Sequence, residues 1–248
     1  MKVWDHVLDS LRRGRVHMTL LDPADQTPER AGEIAGIAAG AGSNAIMVGG
    51  STGLTRQRVQ DTVSAIKDAT KLPVILFPTA ATSLAPNADA IFFMSLLNTK
   101  EMRKLIIEQV HGAPFVKATG MEPIGMAYLI VEPGMKAGEV GAATPLPRDD
   151  PELTMKYALA AQYLGMKTVY LEAGSGAPEH VPMNIISAVK ENIDIPIIVG
   201  GGIRDGHAVT EVLDAGADII VTGTAVEQAE DVEEKLRELL KPFQKFSH

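Results

Sequence analysis

Eight short apolar runs recur along the chain, at 16–21, 45–48, 73–77, 90–96, 126–131, 168–171, 195–199 and 219–222. Each ends in a polar or glycine-rich turn, and mostly helix-length segments separate them. Runs this continuous in Val, Ile, Leu and Ala fit parallel strands buried on both faces. Parallel neighbours need a crossover connection, usually a helix. The spacing predicts helices over 28–40, 55–69, 100–111, 151–164, 181–191, 208–215 and 226–240. It also predicts a short leading helix over 3–13 and a helical turn near 81–85. The alternation in a chain of 248 residues fits a (β/α)8 TIM barrel. A doubly wound open sheet shares the rhythm, but eight regular units and the paired glycine turns at the end favour the barrel. No composition break divides the chain, so residues 1–248 read as one domain. The middle is less regular: 114–117 reads as a small extra strand. The Gly/Pro-rich stretch 135–150 is long for a strand-to-helix loop, which suggests a lid or ligand loop.

The last two strands carry the sharpest local signal. Ile195-Pro196-Ile197-Ile198-Val199 runs into Gly200-Gly201-Gly202, and Ile219-Ile220-Val221-Thr222 runs into Gly223-Thr224. Each turn reads as opening a helix. A bare backbone turn at a helix N-terminus aims peptide N–H groups at an anion. A tandem pair at strands 7 and 8 of a barrel is a frequent phosphate grip.

Composition narrows the chemistry. Net charge is −8, which argues against a nucleic-acid partner. There are no cysteines, so disulfides, thiolate metal sites and thiol catalysis are excluded. The N-terminus has no signal-peptide apolar core, and no run is long enough for a membrane span. A soluble, cytoplasmic protein without a stable membrane anchor is expected. The six histidines are scattered and offer no zinc-ligand spacing.

Barrel active sites lie at the C-terminal ends of the strands. Asp22 ends strand 1, Gly49-Gly50-Ser51-Thr52 strand 2, Pro78 and Thr79 strand 3, Ser95 and Asn98 strand 4, Glu132 strand 5, and Tyr170, Glu172 and Ser175 strand 6. This rim has carboxylates and hydroxyls, with Arg204 its one nearby cation in the last third. A phosphate held there depends on backbone N–H groups and on a metal. Asp22 with the Ser51 hydroxyl is a hard oxygen set of the kind Mg2+ accepts alongside water and phosphate. Asp22 before Pro23 also suits a turn, and Ser51-Thr52 a helix cap. Gly49-Gly50 suits strand–helix packing. Glu172 is harder to read as structural, because a carboxylate at a buried strand end is costly unless paired or used. Tyr170 faces either the barrel interior or the helices. Glu132-Pro133 is either a ligand loop or a plain turn. Lys117 and His180 read as surface residues, and Trp4 as a staple for the leading helix.

Five motifs occur in order: Thr19-Leu20-Leu21-Asp22-Pro23, Val48-Gly49-Gly50-Ser51-Thr52, Tyr170-Leu171-Glu172-Ala173-Gly174-Ser175-Gly176, Val199-Gly200-Gly201-Gly202-Ile203-Arg204 and Thr222-Gly223-Thr224. Together they resemble the geranylgeranylglyceryl phosphate synthases of archaea and their bacterial heptaprenyl relatives, from strand 1 to strand 8. The resemblance implies a Mg2+-dependent prenyltransferase of archaeal-type membrane lipid biosynthesis. It would join the 3-hydroxyl of sn-glycerol 1-phosphate to geranylgeranyl diphosphate and release diphosphate. It implies Asp22 and Ser51 as Mg2+ ligands. It implies Tyr170, Leu171, Glu172, Ala173, Gly174, Ser175 and Gly176 around the glycerol, with Glu172 catalytic. Gly201, Gly202, Gly223 and Thr224 would bind the acceptor phosphate. Phe77, Phe92, Phe93 and Met94 would line a prenyl groove or simply pack the barrel. A homo-oligomer, dimer or hexamer, is also implied. One departure stands out: some members carry lysine two residues before the strand 1 Asp, where this chain has Leu20. Competing readings are a sugar-phosphate isomerase pairing Asp22 with Glu132 or Glu172, and a non-catalytic phosphometabolite-binding protein.

Overall fold

The computed structural model describes residues 2–50 and 53–246. Among them, eight parallel strands close into one barrel in the order β1 to β8. They are β1 Val16–Leu21, β2 Ala45–Gly49, β3 Val74–Phe77, β4 Ala90–Leu96, β5 Glu122–Ile130, β6 Thr168–Glu172, β7 Ile197–Gly200 and β8 Ile219–Thr222. The helices are α1 Val3–Leu11, α2 Pro28–Ala41, α3 Arg56–Ala69, α4 Glu108–Thr119, α5 Met135–Val140, α6 Pro151–Tyr163, α7 Met183–Lys190, α8 Gly206–Asp214, α9 Thr224–Glu227 and α10 Val232–Leu240. The expected (β/α)8 barrel is the fold observed.

Period-2 alternation along each strand divides the apolar residues into two cores. Ile46, Leu76, Leu129, Leu171 and Val199 face outward and pack against the helices. Met18, Met47, Ile75, Phe92, Met126, Tyr170 and Ile198 fill the barrel interior. Trp4 and Val7 of α1 join the interior cluster, so the leading helix plugs the end opposite the strand C-termini. Glu122, at the start of β5, fixes that plug by accepting the Val3 N–H at 2.6 Å.

Three expectations change. Residues 114–117 lie inside α4, not in a strand, and a π-helix at Arg103–Ile107 precedes α4. Gly112 and Val116, four apart, are both buried, so helical spacing overrides the extended bias of the Ala113-Pro114 pair. The helix expected over 226–240 is two helices, because Asp231 accepts the Glu234 N–H at 2.9 Å and caps a new start. His180 is mostly enclosed: its Nε2 lies 3.2 Å from Glu211.

A polar cluster interrupts the apolar packing near the plugged end. The His17 ring spans Ser43 Oγ and Thr222 Oγ1, each 2.9 Å away. Burial pushes its pKa down to about 3, from 6.5. The unfolded chain therefore takes up a proton below about pH 6.5 that the folded chain refuses until about pH 3, and stability falls with pH through that window. Lowering the pH from about 7.5 to about 5 is expected to remove about 2 kcal/mol through this group. Urea unfolding at both values, in the native protein and in His17→Gln, measures the difference; an equal loss in both would remove His17 from the account.

Candidate active site

The strand C-termini open into a cavity of about 820 Å³. Glu172, the last residue of β6, is almost wholly buried at its floor. One carboxylate oxygen accepts the Gly174 N–H at 2.6 Å, and the other accepts the Tyr128 hydroxyl at 3.1 Å. Tyr170 points into the barrel, which decides between its two sequence readings. It stacks on Phe77 at 5.6 Å and meets Tyr128 edge to face at 5.2 Å. Burial raises the Glu172 pKa, while the Gly174 N–H and the two tyrosine hydroxyls pull it back. Burial, with the Glu172 charge beside them, raises both tyrosines well above their ordinary value. Two hydroxyls that stay protonated therefore face a carboxylate that they help to keep charged.

The β7 turn wraps closely round this group. A side chain on Gly201 would put its Cβ 2.4 Å from Glu172 Oε1, and one on Gly202 would meet the Glu179 carbonyl oxygen at 2.2 Å. Both glycines adopt the left-handed region, with φ of 80° and 70°. The turn does not feed a helix directly. Residues 203–205 intervene, and Asp205 caps α8 by accepting the Ala208 N–H at 2.9 Å. The α8 dipole is thus screened from the cradle by a carboxylate. Gly223 leads straight into α9, but α9 is a single turn. An anion held at these turns would meet local N–H groups and hydroxyls, with little helix dipole behind them. Ser175 and Thr224 join the β6 and β8 turns through hydroxyls 2.7 Å apart. Arg204 braces the β6 turn through the Gly176 and Ala177 carbonyls, 2.9 Å each.

The rim is less poor in cations than strand ends alone suggest. Lys104, Lys136 and Lys235 also line the cavity. They come from the π-helix, α5 and α10, positions that strand-end counting does not reach. Leu20, in the place of the absent lysine, lies against Gly223 and faces the cavity.

Asp22 sits beside the gap over Gly50, where a Cβ would lie 3.0 Å from Asp22 Oδ2. Its Oδ1 accepts the Ala24 N–H at 2.9 Å, so the turn role and the rim position coexist. Ser51 lies outside the described residues. Among those described, no cluster of three or more His, Asp or Glu forms a metal cage. One hard carboxylate beside open space still fits Mg2+, which keeps most of its shell as water and substrate phosphate. Glu227 approaches Asp22 from α9. Its pKa is pushed up to about 7 by burial and by the Asp22 and Asp25 charges, against hydrogen bonds from Asp22 and Gln26.

The other wall is apolar. Phe77, Phe92, Phe93 and Met94 all reach the cavity, joined by Leu84 and Gly112. Phe92 both lines the cavity and packs the barrel interior. Glu132 is exposed and tied to Arg148, so it does not pair with Asp22 across the mouth as an isomerase would need. Tyr128 and Glu227 escaped the sequence reading. Tyr128 is mid-strand, and only the register that sets it beside Tyr170 reveals it.

The PcrB family model matches residues 9–242. The chain is 52% identical to the geranylgeranylglyceryl phosphate synthase of Pyrococcus abyssi over 239 residues, covering 96% of this chain and 95% of that one. Identity to the enzyme of that name from Thermococcus kodakarensis is 53% over 241 residues, covering 96% of each. The fold superposes, with a TM-score of 0.96, 46% identity and 99% coverage of both chains, on (S)-3-O-geranylgeranylglyceryl phosphate synthase of Thermoplasma acidophilum in complex with its substrate sn-glycerol 1-phosphate. With the barrel, the buried Glu172 and the glycine cradle in place, these likenesses assign the chain: it belongs to the PcrB family and to the geranylgeranylglyceryl phosphate synthase lineage within it.

Proposed function

We propose that this protein is a prenyltransferase that joins the 3-hydroxyl of sn-glycerol 1-phosphate to geranylgeranyl diphosphate. A bond forms between the glycerol oxygen and the first carbon of the prenyl chain. The bond from that carbon to the diphosphate breaks, and diphosphate leaves with the electron pair. The observation that carries this reading is one cavity with three walls: the glycine cradle, the buried carboxylate and the aromatic, apolar side.

In this reading the acceptor phosphate sits on the N–H groups of Gly201, Gly202, Gly223 and Thr224. The Tyr170–Gly176 turn surrounds its glycerol. Glu172 orients the reacting hydroxyl and takes its proton. An allylic chain ionises readily, so positioning the two substrates supplies much of the acceleration. Asp22 and Ser51 are the groups offered to Mg2+, which when bound neutralises the diphosphate and improves it as a leaving group. The apolar side receives the prenyl tail. No described helix is long and apolar enough to cross a membrane.

The Tyr128 hydroxyl helps hold the Glu172 proton off. Tyr128→Phe removes that donor, so the Glu172 pKa rises further. Activity that needs the ionised carboxylate then falls off at a higher pH. The acid limb of the kcat/KM profile is expected to move up by about one pH unit, with the alkaline side little changed. An unmoved acid limb would mean that Glu172 is not the titrating base. The function itself is tested by supplying the two substrates and identifying the lipid formed.

A further inference from the structure

The contacts of Glu227 tie the turn after β8 to the turn after its neighbour β1, at the mouth of the barrel. The residue ends α9, the one-turn helix that starts at Thr224 on the β8 turn. One carboxylate oxygen accepts the Asp22 main-chain N–H at 2.8 Å and the Gln26 side-chain amide at 2.5 Å. Both donors belong to the turn after β1. From the opposite side, Arg58 of α3 holds two carbonyls of the same turn, Pro23 at 3.0 Å and Gln26 at 2.8 Å. The Asp22 carboxylate is oriented locally by the Ala24 N–H. The turn is thus gripped by its carbonyls from α3 and by its donors from α9.

This arrangement is unfavourable as mere loop closure. Glu227 stands beside Asp22 and Asp25, whose charges oppose its own. An oxygen is nonetheless required there, because the Asp22 N–H would otherwise lose its acceptor at a partly buried position. The gripped turn carries the Asp22 carboxylate, which lines the cavity close against Gly50, where a Cβ would lie 3.0 Å from its Oδ2.

We propose that Glu227 is a positioning residue for the prenyl donor: it holds the Asp22 main chain so that the carboxylate faces the donor diphosphate, and does so from the helix that carries the acceptor's phosphate turn. The proposal rests on the donor and acceptor assignment above. It makes the acceptor turn part of the donor site's framework. Residues that hold a ligating group act at a distance but measurably.

The test compares Glu227→Ala with Glu227→Gln, whose amide oxygen still accepts from the Asp22 N–H but carries no charge. For Glu227→Ala the KM for geranylgeranyl diphosphate is expected to rise about tenfold or more, with the KM for glycerol 1-phosphate within about twofold of the native value. Calorimetric titration with inorganic diphosphate and Mg2+ should show the same weakening without turnover. Glu227→Gln should stay within about threefold of the native protein in both measurements. Thermal unfolding checks that each variant is folded. If Glu227→Ala is not, Glu227→Asp, one methylene too short to reach, takes its place with the same expectation. Native behaviour in the alanine variant overturns the proposal, as does an equal rise in both KM values. A glutamine variant as weak as the alanine one also overturns it, since the charge would then be the working feature. Absence of any lipid product from the native protein would instead be a failure of the proposed function.

Discussion

Replacing Glu172 with alanine is expected to lower kcat/KM for ether formation by about a thousandfold, with the barrel still folded. Among the described residues, no other at the floor of the cavity combines its burial, its contact with the β6 and β7 turns and its two tyrosine neighbours. In the proposed reaction its loss removes the group that orients the hydroxyl and accepts its proton. The truncation also leaves the Gly174 N–H and the Tyr128 hydroxyl without their partner, a structural loss of about 1–3 kcal/mol for each. Glu172→Gln separates the two effects. The amide keeps an oxygen for Gly174 but cannot take a proton, so stability should be nearly native and activity nearly as low as in the alanine variant. Steady-state kinetics with a urea unfolding curve for each variant checks both. Near-native turnover by the glutamine variant would remove proton transfer to Glu172 from the mechanism.

Gly201→Ala is expected to be almost as damaging through a single methyl group. The new Cβ would lie 2.4 Å from Glu172 Oε1 and 2.6 Å from the Gly174 nitrogen. It would also force a left-handed residue with φ of 80° to carry a side chain. The strain and overpacking together amount to about 2–4 kcal/mol. Relief must come from moving the β7 turn away from β6, which opens the phosphate cradle. The KM for glycerol 1-phosphate should rise about a hundredfold, more than that for the prenyl donor, and the unfolding midpoint should drop. A variant with a native acceptor KM would show that the β7 turn does not hold the acceptor.

How much of this was legible beforehand depended on the kind of signal. Strand positions were readable because buried parallel strands are continuous apolar runs; β4 falls where the pattern placed it. The position of Asp22, Glu172 and the glycine turns on the cavity is legible because each sits at a strand end, and the strand ends open into that cavity. Residues 114–117 misled because Pro-Phe-Val has local strand character, while the burial of Gly112 and Val116 that decides for helix is tertiary. The α9–α10 break was marked by Asp231, a capping residue hidden inside an otherwise helical pattern. Tyr128 comes beside Glu172 only through register, and Glu227 meets Asp22 only through the approach of α9 to β1. The helix N-terminus expected directly behind the β7 turn stands off from it, since the three residues before Gly206 end in a carboxylate cap. Local chemistry was visible in the sequence; pairings across 40 or more positions, such as Tyr128 with Glu172 or Asp22 with Glu227, were not.

The central claim is that one cavity brings an acceptor phosphate, a buried carboxylate and a prenyl chain together to form an ether. Incubation of the purified protein with sn-glycerol 1-phosphate, geranylgeranyl diphosphate and Mg2+, followed by mass analysis of the extracted lipid, tests it most directly. The expected result is a geranylgeranyl ether of glycerol phosphate with release of diphosphate, abolished by chelation and by Glu172→Ala. Recovery of only unreacted donor or free prenyl alcohol, from protein shown to be folded, would contradict it.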